Sequence, residues 1–382
     1  MSESKDKYLF TPGPLTTSKT VKAAMMRDLG SRDEAFIRVV AEVREQLLAL
    51  GQVSRGTGYE AIPMQGSGTF GIEATIGSVI PRGGKLLVLI NGAYGERIAA
   101  MARRLGIETV ELCSAENQVP SQGDLRETLS MDAEITNVAV VHCETTSGIM
   151  NPVEELGAVV HEFGRTYIVD AMSSFGAVTL DLAAAHIDYL ISSSNKCIEG
   201  VPGFSFVIAN RDKLIRSKGS ARSVSLDLLA QWEGLEKNGQ FRFTPPTHSI
   251  LAFLEALGEL EAEGGVGGRE KRYRENHATL VAGMRELGFR EYIAPDLQGW
   301  IITAFPYPNN DAFRFEEFYE QLSQRGMLIY PGKLTNEECF RIGNIGRLGI
   351  DEIRQLLAAV REALDALKLH VPVSVCVKSG GG

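Results

Sequence analysis

Tyr167-Ile168-Val169-Asp170-Ala171-Met172-Ser173-Ser174 is the stretch that decides the fold class, together with Asp188-Tyr189-Leu190-Ile191-Ser192-Ser193-Ser194-Asn195-Lys196. Both contain short apolar runs, which is the pattern of buried strands in a parallel sheet. Because ligands bind at the carboxyl ends of such strands, Asp170 and Lys196 are expected at one edge of the sheet. An amine that can form a Schiff base and a carboxylate that can hold a pyridinium nitrogen are what pyridoxal phosphate (PLP) chemistry requires. Taken singly, Lys196 is equally well interpreted as a surface lysine, and Asp170 as an acid that caps the next helix.

Around these runs, residues 59–209 alternate short apolar segments with longer amphipathic ones. This alternation predicts an α/β fold with helices on both faces of a sheet. The predicted strands are 85–90, 137–142, 167–170, 189–193 and 204–209, and the predicted helices are 69–79, 95–105 and 153–163. The loop before residue 204 is too short for a crossover helix, so that strand is predicted to run antiparallel to its predecessor.

The pattern changes after Pro245-Pro246. Helices are predicted at 248–263 and 269–287, separated by a break at Gly264-Gly265-Val266-Gly267-Gly268. Further strands are predicted at 301–305, 328–330 and 339–343, and further helices at 315–325 and 351–367. We therefore assign an N-terminal segment (1–20) that packs on the small domain, a large domain (21–250), a smaller α+β C-terminal domain (251–368) and a disordered tail (369–382).

Composition narrows the possible partners and compartments. The chain has 382 residues, which suggests about two domains, and a formal net charge of −9 with no long basic run. This charge argues against nucleic acid or an anionic membrane as a partner. No apolar run is long enough to span a bilayer. The five cysteines are odd in number and widely spaced, so they imply neither a metal nor a disulfide framework and fit a reducing, cytoplasmic compartment.

Three loops contain groups that could hold a cofactor. Gln65-Gly66-Ser67-Gly68-Thr69 precedes a helix and could bind a phosphate, although a tight turn with Thr69 as helix cap is the better interpretation in isolation. Tyr94 follows a strand, where its ring could stack on a ligand or belong to the core. The loop His142-Cys143-Glu144-Thr145-Thr146-Ser147-Gly148 could supply a hydroxyl donor or be an ordinary polar connection.

Arg341 lies in the apolar segment Cys339-Phe340-Arg341-Ile342-Gly343 and is expected to be partly buried. A buried guanidinium needs an anionic partner, and its planar fork suits a carboxylate or a phosphonate. A salt bridge to an acid of the protein is an equally good interpretation.

The segment Ser193-Ser194-Asn195-Lys196 also matches the SxxK motif of penicillin-binding serine hydrolases. That motif opens a helix and needs a KTG-like partner, whereas here it ends a strand. The nearest such partner, Lys378-Ser379-Gly380, falls in the tail. We therefore reject the hydrolase interpretation.

Taken in order, these residues resemble the fold-type I, class V aminotransferases. The resemblance extends from about Tyr8 to Leu367 and is nearest to the subgroup that acts on 2-aminoethylphosphonate and pyruvate. It rests on four segments: Thr11-Pro12-Gly13-Pro14-Leu15-Thr16-Thr17, Val169-Asp170-Ala171-Met172-Ser173-Ser174-Phe175-Gly176, Asn195-Lys196-Cys197-Ile198-Glu199-Gly200-Val201-Pro202-Gly203-Phe204 and Phe340-Arg341-Ile342-Gly343-Asn344-Ile345-Gly346. Asn195 departs from the His or Gln common in the wider class but is similar to the phosphonate subgroup.

The resemblance implies a fold, an activity and a role for each residue. The large domain would hold a mostly parallel seven-stranded sheet and PLP, and the protein would be a homodimer with its sites at the subunit interface. The activity implied is transamination of 2-aminoethylphosphonate with pyruvate, giving phosphonoacetaldehyde and L-alanine. Lys196 would bind the cofactor covalently and shuttle protons, with Asn195 beside it. Asp170 would pair with the pyridine nitrogen, and Arg341 would bind the acid group of each substrate. The remaining cofactor contacts would be Ser67, Gly68 and Thr69 to the phosphate, Tyr94 on the ring, Thr146 near the ring hydroxyl and Thr244 to the phosphate of a neighbouring subunit.

Other functions remain as alternatives. An aminotransferase of the alanine–glyoxylate or serine–pyruvate type would share the acid-binding arginine. A cysteine desulfurase would need a nucleophilic cysteine on a mobile loop, whereas Cys197 and Cys339 have the pattern of packing residues. A PLP-binding regulator would carry a DNA-binding module, and the sequence has no basic or helix-turn-helix segment.

Overall fold

A seven-stranded sheet forms the centre of the fold in a computed structural model that describes residues 6–375. The strands are β1 (Tyr8–Leu9), β2 (Tyr59–Gln65), β3 (Lys85–Ile90), β4 (Glu108–Cys113), β5 (Ile135–Val141), β6 (Cys143–Glu144), β7 (Ile149–Met150), β8 (Thr166–Asp170), β9 (Tyr189–Ser193), β10 (Phe204–Asn210), β11 (Ile302–Pro306), β12 (Met327–Leu328), β13 (Tyr330–Pro331) and β14 (Cys339–Gly343). The helices are α1 (Lys19–Ala23), α2 (Glu34–Leu50), α3 (Gly68–Val79), α4 (Ala93–Arg104), α5 (Gln122–Met131), α6 (Val153–Glu162), α7 (Arg211–Arg216), α8 (Leu228–Asn238), α9 (Thr247–Ala262), α10 (Gly265–Glu286), α11 (Phe315–Gln324) and α12 (Ile350–Ala366).

The strand order of the large sheet is β2-β10-β9-β8-β5-β3-β4. Strands β4, β3, β5, β8 and β9 run parallel to one another, whereas β10 is antiparallel to both β9 and β2. The predicted α/β fold, the mostly parallel seven-stranded sheet and the antiparallel strand are therefore confirmed. Strands β8 and β9 are adjacent, with Asp170 opposite Ile191. Their carboxyl ends therefore bring Asp170 and the loop that contains Lys196 to the same edge.

Two strands of this sheet are absent from the sequence prediction, and both lie at its edges. Strand β2 contains Pro63, which lacks an N–H group and is tolerated because β2 has a partner on one side alone. Strand β4 is partly exposed and carries Glu108 and Glu111, so it lacks the continuous apolar run of a buried strand.

The C-terminal part has its own three-stranded antiparallel sheet, in the order β11-β14-β13. Helices α10, α11 and α12 pack with this sheet around a core that includes Phe289, Phe305, Phe318 and Phe340. Two details of the prediction are wrong here. Helix α10 begins at Gly265 rather than after the glycine cluster, because Gly264 (φ 102°) already makes the turn out of α9. The predicted strand 328–330 is divided between β12, which pairs with β1, and β13, which pairs with β14.

Both ends of the described chain pack on this C-terminal core. Strand β1 pairs in parallel with β12, and Phe10 is fully buried among the phenylalanines of the core. At the other end Leu369 and Val373 are buried, and the Val373 N–H donates to the Leu287 carbonyl (2.9 Å). Residues 369–375, which the sequence assigned to a disordered tail, are thus held by apolar packing, and the rest of that tail, 376–382, lies outside the described residues. The domain boundaries themselves stay predictions.

Between residues 6 and 375, no helix combines the length and the apolar character that crossing a membrane requires.

Candidate active site

A cavity of about 210 Å³ lies at the carboxyl ends of β5, β8 and β9. Seven of the residues predicted for the site line it: Ser67, Gly68, Thr69, Tyr94, Asp170, Asn195 and Lys196. The sheet therefore brings together side chains that are as far apart in sequence as Ser67 and Lys196. Three predicted residues, Thr146, Thr244 and Arg341, are not among those that line this cavity.

Lys196 lies in the loop that follows β9, and its amine is held by the N-terminal segment. The Lys196 Nζ donates a hydrogen bond to the Pro12 carbonyl at 2.5 Å. Burial lowers the pKa of Lys196, against the opposing charges of Tyr94, Cys197 and Asp170. A lysine with a lowered pKa is neutral more of the time, and the neutral amine is the nucleophile.

Asp170 ends β8 and is 3% exposed. Its Oδ1 accepts the Met172 N–H at 2.9 Å, and no ion pair to Asp170 is found within residues 6–375. Burial raises the pKa of Asp170 to about 7, although the Met172 hydrogen bond opposes this shift. A buried carboxylate without a counterion is costly, so the site is suited to a cationic ring nitrogen at this position.

The N-terminus of α3 faces the same cavity and is not capped by a side chain. Ser67 is the N-cap residue, is exposed, and makes no capping hydrogen bond, so the alternative in which Thr69 caps this helix is wrong. A Cβ on Gly68 would lie 2.1 Å from the Met172 Sδ, so a larger residue there would require the Met172 side chain to move. Free N–H groups and hydroxyls at a helix N-terminus form a site for an anion such as a phosphate.

Tyr94 lies in the first turn of α4 and is surrounded by cations. The Arg97 Cζ is 4.8 Å from the centre of the Tyr94 ring, and the Lys333 Nζ is 4.6 Å from it. Burial opposes ionisation of the phenol, but a hydrogen bond with Thr145 and the charges of Lys196 and Lys333 together lower the pKa of Tyr94. The cavity is therefore electropositive on this side, which favours anionic ligands.

Glu144 is fully buried and organises the residues around Tyr94. Its Oε2 accepts the Tyr94 N–H at 3.1 Å, and its Oε1 accepts both the Thr146 N–H (3.0 Å) and the Thr146 hydroxyl (2.6 Å). Thr146 does not line the cavity and donates its hydroxyl to Glu144, so its role near a ring hydroxyl stays a prediction. The neighbouring Thr145 lines the cavity instead.

Arg341 is the central residue of β14 and is 5% exposed. Its Nε donates to the Pro331 carbonyl (3.0 Å) and its Nη1 to the Thr145 carbonyl (2.7 Å). Among residues 6–375 no acid forms an ion pair with it, so the alternative of a structural salt bridge is not observed. Although Arg341 does not line the cavity, its charge contributes to the lowered pKa values of Lys196 and Tyr94. Its remaining N–H groups are suited to an acid group of a ligand.

Thr244 lies away from this cavity. It is exposed and lines a separate cavity of about 350 Å³ with Arg32 and Phe243, and the Gln65 Nε2 donates to the Phe243 carbonyl at 2.9 Å. A single chain does not bring Thr244 to Lys196, and its predicted contact with a neighbouring subunit stays a prediction.

Sequence reasoning missed several residues that contact the site. The Pro12 carbonyl receives the Lys196 amine from 184 positions away, and a Cβ on Gly13 (φ 126°) would lie 2.7 Å from the Lys196 Nζ. No local pattern reveals a contact at that separation. Arg97 lies near the start of α4, and Thr145 lies next to Thr146, which the sequence analysis selected. Residue spacing gives no reason to prefer Arg97 or Thr145.

Comparisons with known proteins agree with this architecture. The profile of the family described as Aminotransferase class-V matches residues 16–340. A relative from Salmonella paratyphi A (strain ATCC 9150 / SARB42), named 2-aminoethylphosphonate–pyruvate transaminase, is 50% identical over 363 residues, which cover 94% of this chain and 98% of the relative. A relative of the same name from Syntrophobacter fumaroxidans (strain DSM 10017 / MPOB) is 50% identical over 357 residues, covering 93% and 96%.

Solved structures show the same fold at lower identity. Ureidoglycine–glyoxylate aminotransferase from Bacillus subtilis matches with a TM-score of 0.88 at 23% identity, over 96% of this chain and 95% of that one. Alanine–glyoxylate aminotransferase from Nostoc sp. matches with a TM-score of 0.86 at 25% identity, over 95% and 96%. With the family profile and the half-identical relatives, these matches establish that the chain is a member of the class V aminotransferase family.

Proposed function

We propose that this chain catalyses the PLP-dependent transamination of 2-aminoethylphosphonate with pyruvate, giving phosphonoacetaldehyde and L-alanine, as a step of phosphonate catabolism. The observation that carries the proposal is the single cavity that contains a buried amine, Lys196, a buried acid without a counterion, Asp170, and the uncapped N-terminus of α3. The choice of substrates is supported by the half-identical relatives, which bear the name of this transaminase.

The residues of the cavity fit PLP. Lys196 would bind its aldehyde carbon, Asp170 its ring nitrogen, and Tyr94 the face of its ring, while Asn195 lines the wall next to Lys196. The phosphate would be held by Ser67, Gly68 and Thr69. When bound, the cofactor supplies an electron sink that stabilises the negative charge left on a substrate carbon after a proton is removed. Thr145, which lines the cavity, replaces Thr146 in this proposal.

Lys196 would carry the proton in each half of the reaction. Once its amine is free, the lowered pKa favours its neutral form, and Lys196 would take the proton from the substrate carbon that bears the amino group. Lys196 would hold that proton at its Nζ and release it again within the same half-reaction, so no proton is gained or lost overall. The Pro12 carbonyl accepts one N–H of the amine and so orients its lone pair.

Asp170 and Arg341 would hold the two ends of the reacting complex. Ionised Asp170 would keep the ring nitrogen protonated, which a neutral side chain could not do. Arg341 would bind the phosphonate of the donor in one half-reaction and the carboxylate of pyruvate in the other, because each presents paired oxygens to its fork. Arg97 and Lys333 add positive charge on the Tyr94 side, which favours a doubly charged phosphonate.

The protein would act as a homodimer, with small-molecule donor and acceptor as its other partners. In this arrangement Thr244 would reach the cofactor phosphate of the neighbouring subunit. Its exposure supports the proposal, as do the exposed aromatic rings of Phe70, beside the phosphate site, and Phe243. The cytoplasmic location stays a prediction from the pattern of cysteines.

An amino-donor screen tests the function. The cofactor-loaded protein is mixed separately with 2-aminoethylphosphonate, alanine, serine and taurine, and the conversion of the cofactor is followed by its absorbance. We expect 2-aminoethylphosphonate to react fastest, and pyruvate to reverse the absorbance change. Lys196→Ala should bind no cofactor that borohydride can fix, whereas Lys213→Ala, altered outside the cavity, should bind it normally. Faster conversion by alanine or serine would instead support the alanine–glyoxylate or serine–pyruvate type.

A further inference from the structure

Two buried side chains and one half-buried arginine connect the loop that follows Lys196 to the loop that follows Arg341. Glu199 lies in the first loop, and Arg272 and Tyr273 lie in α10. None of them lines the cavity, and the reaction described above does not use them. They therefore need another explanation, because buried charges are costly unless they are paired.

In the loop that follows Lys196, Glu199 accepts the hydrogen bonds that connect this loop to α10. Its Oε1 accepts the Tyr273 hydroxyl at 2.5 Å and the Arg272 Nη2 at 2.7 Å. Glu199 is 1% exposed and has a φ of 66°, a left-handed conformation that is unfavourable for a glutamate and needs to be held by its surroundings. The fully buried Arg269 adds a bond from its Nη1 to the Cys197 carbonyl (2.5 Å), directly after Lys196.

On the arginine side, the same two residues bind the loop after β14. The Tyr273 hydroxyl accepts the Gly346 N–H at 3.0 Å, and the Arg272 Nη1 donates to the carbonyls of Gly346 (2.6 Å) and Leu348 (2.8 Å). The Asn344 Nδ2 donates to the Tyr273 carbonyl at 3.1 Å, one position after β14 ends. A single phenol oxygen thus joins the two loops.

The connection is centred on residues that are buried, while Arg272 and Glu263 at its margin are half-buried. Tyr273 is fully buried, and burial raises the pKa of its phenol, so the hydroxyl remains a donor to Glu199 while it accepts from Gly346. Glu263 accepts from both Arg269 (2.7 Å) and Arg272 (2.6 Å), which balances the second positive charge. Removing the Tyr273 hydroxyl would leave the buried Gly346 N–H without its acceptor and Glu199 with one partner fewer.

We propose that Tyr273 and Glu199 are positioning residues that set the spacing between Lys196 and Arg341 and thereby select the length of the amino donor. The inference rests on the proposed function, in which Lys196 acts on the amino-bearing carbon while Arg341 binds the acid group. In pyruvate the acid group is one carbon nearer the reacting carbon than in 2-aminoethylphosphonate, so the spacing sets an upper limit on this distance. A donor with one methylene more than 2-aminoethylphosphonate exceeds that limit so long as the hydrogen bonds of Tyr273 hold the two loops together. When the hydrogen bonds of Tyr273 and Glu199 are weakened, the spacing between Lys196 and Arg341 can change, and the preference for the shorter donor falls.

Tyr273→Phe tests the proposal, because it removes one hydroxyl and retains the ring. The matched control is Tyr167→Phe, which also removes a fully buried hydroxyl, bonded to the Val153 carbonyl at 3.1 Å. Hydrogen–deuterium exchange of the full-length, cofactor-loaded proteins is measured by mass spectrometry. In Tyr273→Phe, residues 196–203 and 344–348 should both exchange at least about tenfold faster, since a bond to a charged group is lost. The control should leave both segments unchanged.

The second measurement compares 2-aminoethylphosphonate with 3-aminopropylphosphonate as donors in single turnovers. The ratio of their second-order rate constants should fall about tenfold or more in Tyr273→Phe and stay constant in Tyr167→Phe. Glu199→Gln should behave like Tyr273→Phe, and it replaces that variant if Tyr273→Phe does not fold. A lower melting temperature with an unchanged ratio and unchanged exchange at 344–348 would overturn the proposal. If the wild-type protein reacts with neither donor, the proposed function is what has failed, and the exchange measurement alone decides whether the loops are coupled.

Discussion

Burial acts in opposite directions on the two ionisable residues at the centre of the cavity. It raises the pKa of Asp170 to about 7 and lowers the pKa of Lys196, so each is moved toward its neutral form. Neither has an ion-pair partner among residues 6–375. A ligand with a cationic ring nitrogen and an aldehyde would supply a partner to each of them.

Asp170→Asn should abolish most of the activity while the cofactor still binds. Asn can accept the Met172 N–H as Asp170 does, so the fold should survive, but an amide cannot keep a ring nitrogen protonated. We expect a loss of several kcal/mol of transition-state stabilisation, at about 1.4 kcal/mol per tenfold in rate. Single-turnover absorbance measures it. Asp188→Asn, at the opposite end of neighbouring β9, is the control, and near-normal turnover in Asp170→Asn would remove this residue from the mechanism.

The same substitution should change how stability depends on pH in the cofactor-free protein. The folded-state pKa of Asp170 is raised above its ordinary value of 3.8 to about 7, so between these pH values the folded state binds more protons than the unfolded state. Stability should therefore fall as the pH rises through this window, by up to about 4 kcal/mol. Asp170→Asn should lack this decline and be the more stable protein at pH 8. Urea unfolding at pH 4 to 8 measures the difference, and parallel curves would contradict the prediction.

Arg341→Lys should weaken both half-reactions. Lysine keeps the charge but loses the fork, and the Pro331 and Thr145 carbonyls lose their donors. We expect kcat/KM to fall about tenfold to a hundredfold for each substrate, which corresponds to about 1.5–3 kcal/mol. The donor is added to the cofactor-loaded protein and pyruvate to its aminated form, each in a single turnover. Arg325→Lys, on the surface beside Glu362, is the control. If one half-reaction is unchanged, a second cation serves that acid, and Lys333 is the first candidate.

At the scale of helices and strands, the ends of the strands could be predicted better than the loops beyond them. Continuous apolar runs reveal β8 and β9, so the positions of Asp170 and Lys196 follow from the sequence. The hairpin of β6 and β7 has no such signal, because both of its threonines are buried and pattern alone cannot decide which one Glu144 binds. The edge strand β2 was missed because Pro63 is unfavourable in a strand unless one side is unpaired.

Glu144→Gln should weaken the N-terminus of α4. The carboxylate accepts from the Tyr94 N–H and from the N–H and hydroxyl of Thr146, whereas an amide offers one oxygen and points an NH₂ group at a donor. We expect the free energy of unfolding of the cofactor-free protein to fall by about 2–3 kcal/mol, together with weaker cofactor binding. Urea unfolding and an absorbance titration measure the two effects. Glu362→Gln, in a surface pair with Arg325, should cost less than about 1 kcal/mol, and an equal loss in both variants would argue against the prediction.

At the scale of the whole molecule, the sequence predicts the large α/β part and the smaller α+β part, but not the contacts between residues that are far apart in the chain. The α/β alternation and the later α+β pattern follow from periodicity and length. Three features join positions far apart in the chain. They are the contact of Pro12 with Lys196, the hydrogen bonds of the Tyr273 hydroxyl and the packing of residues 369–375. Such contacts depend on the folded shape, which a single sequence read by itself does not reveal.

Thr244→Ala should weaken cofactor binding without changing the stability of the cofactor-free chain. The reason is that Thr244 is exposed in one chain and is proposed to bind the phosphate held by its neighbour. We expect the dissociation constant of PLP to rise about tenfold, since one hydrogen bond to a charged group is lost. Absorbance titration measures the affinity and analytical ultracentrifugation the dimer. Thr128→Ala, an exposed hydroxyl bonded within α5, is the control. An unchanged affinity in a dimeric protein would exclude the contact.

The pairing of β1 with β12 has a consequence for biosynthesis. Tyr8 and Leu9 are made before every strand of the large sheet, yet their partners Met327 and Leu328 are made after all of those strands. The Lys196 amine meets the Pro12 carbonyl only where this early segment is anchored on the late one. Contacts of such high sequence separation form slowly and late. All strands of the large sheet are made before β12, so we expect the Lys196 amine to be covered by the N-terminal segment only after β12 has been made.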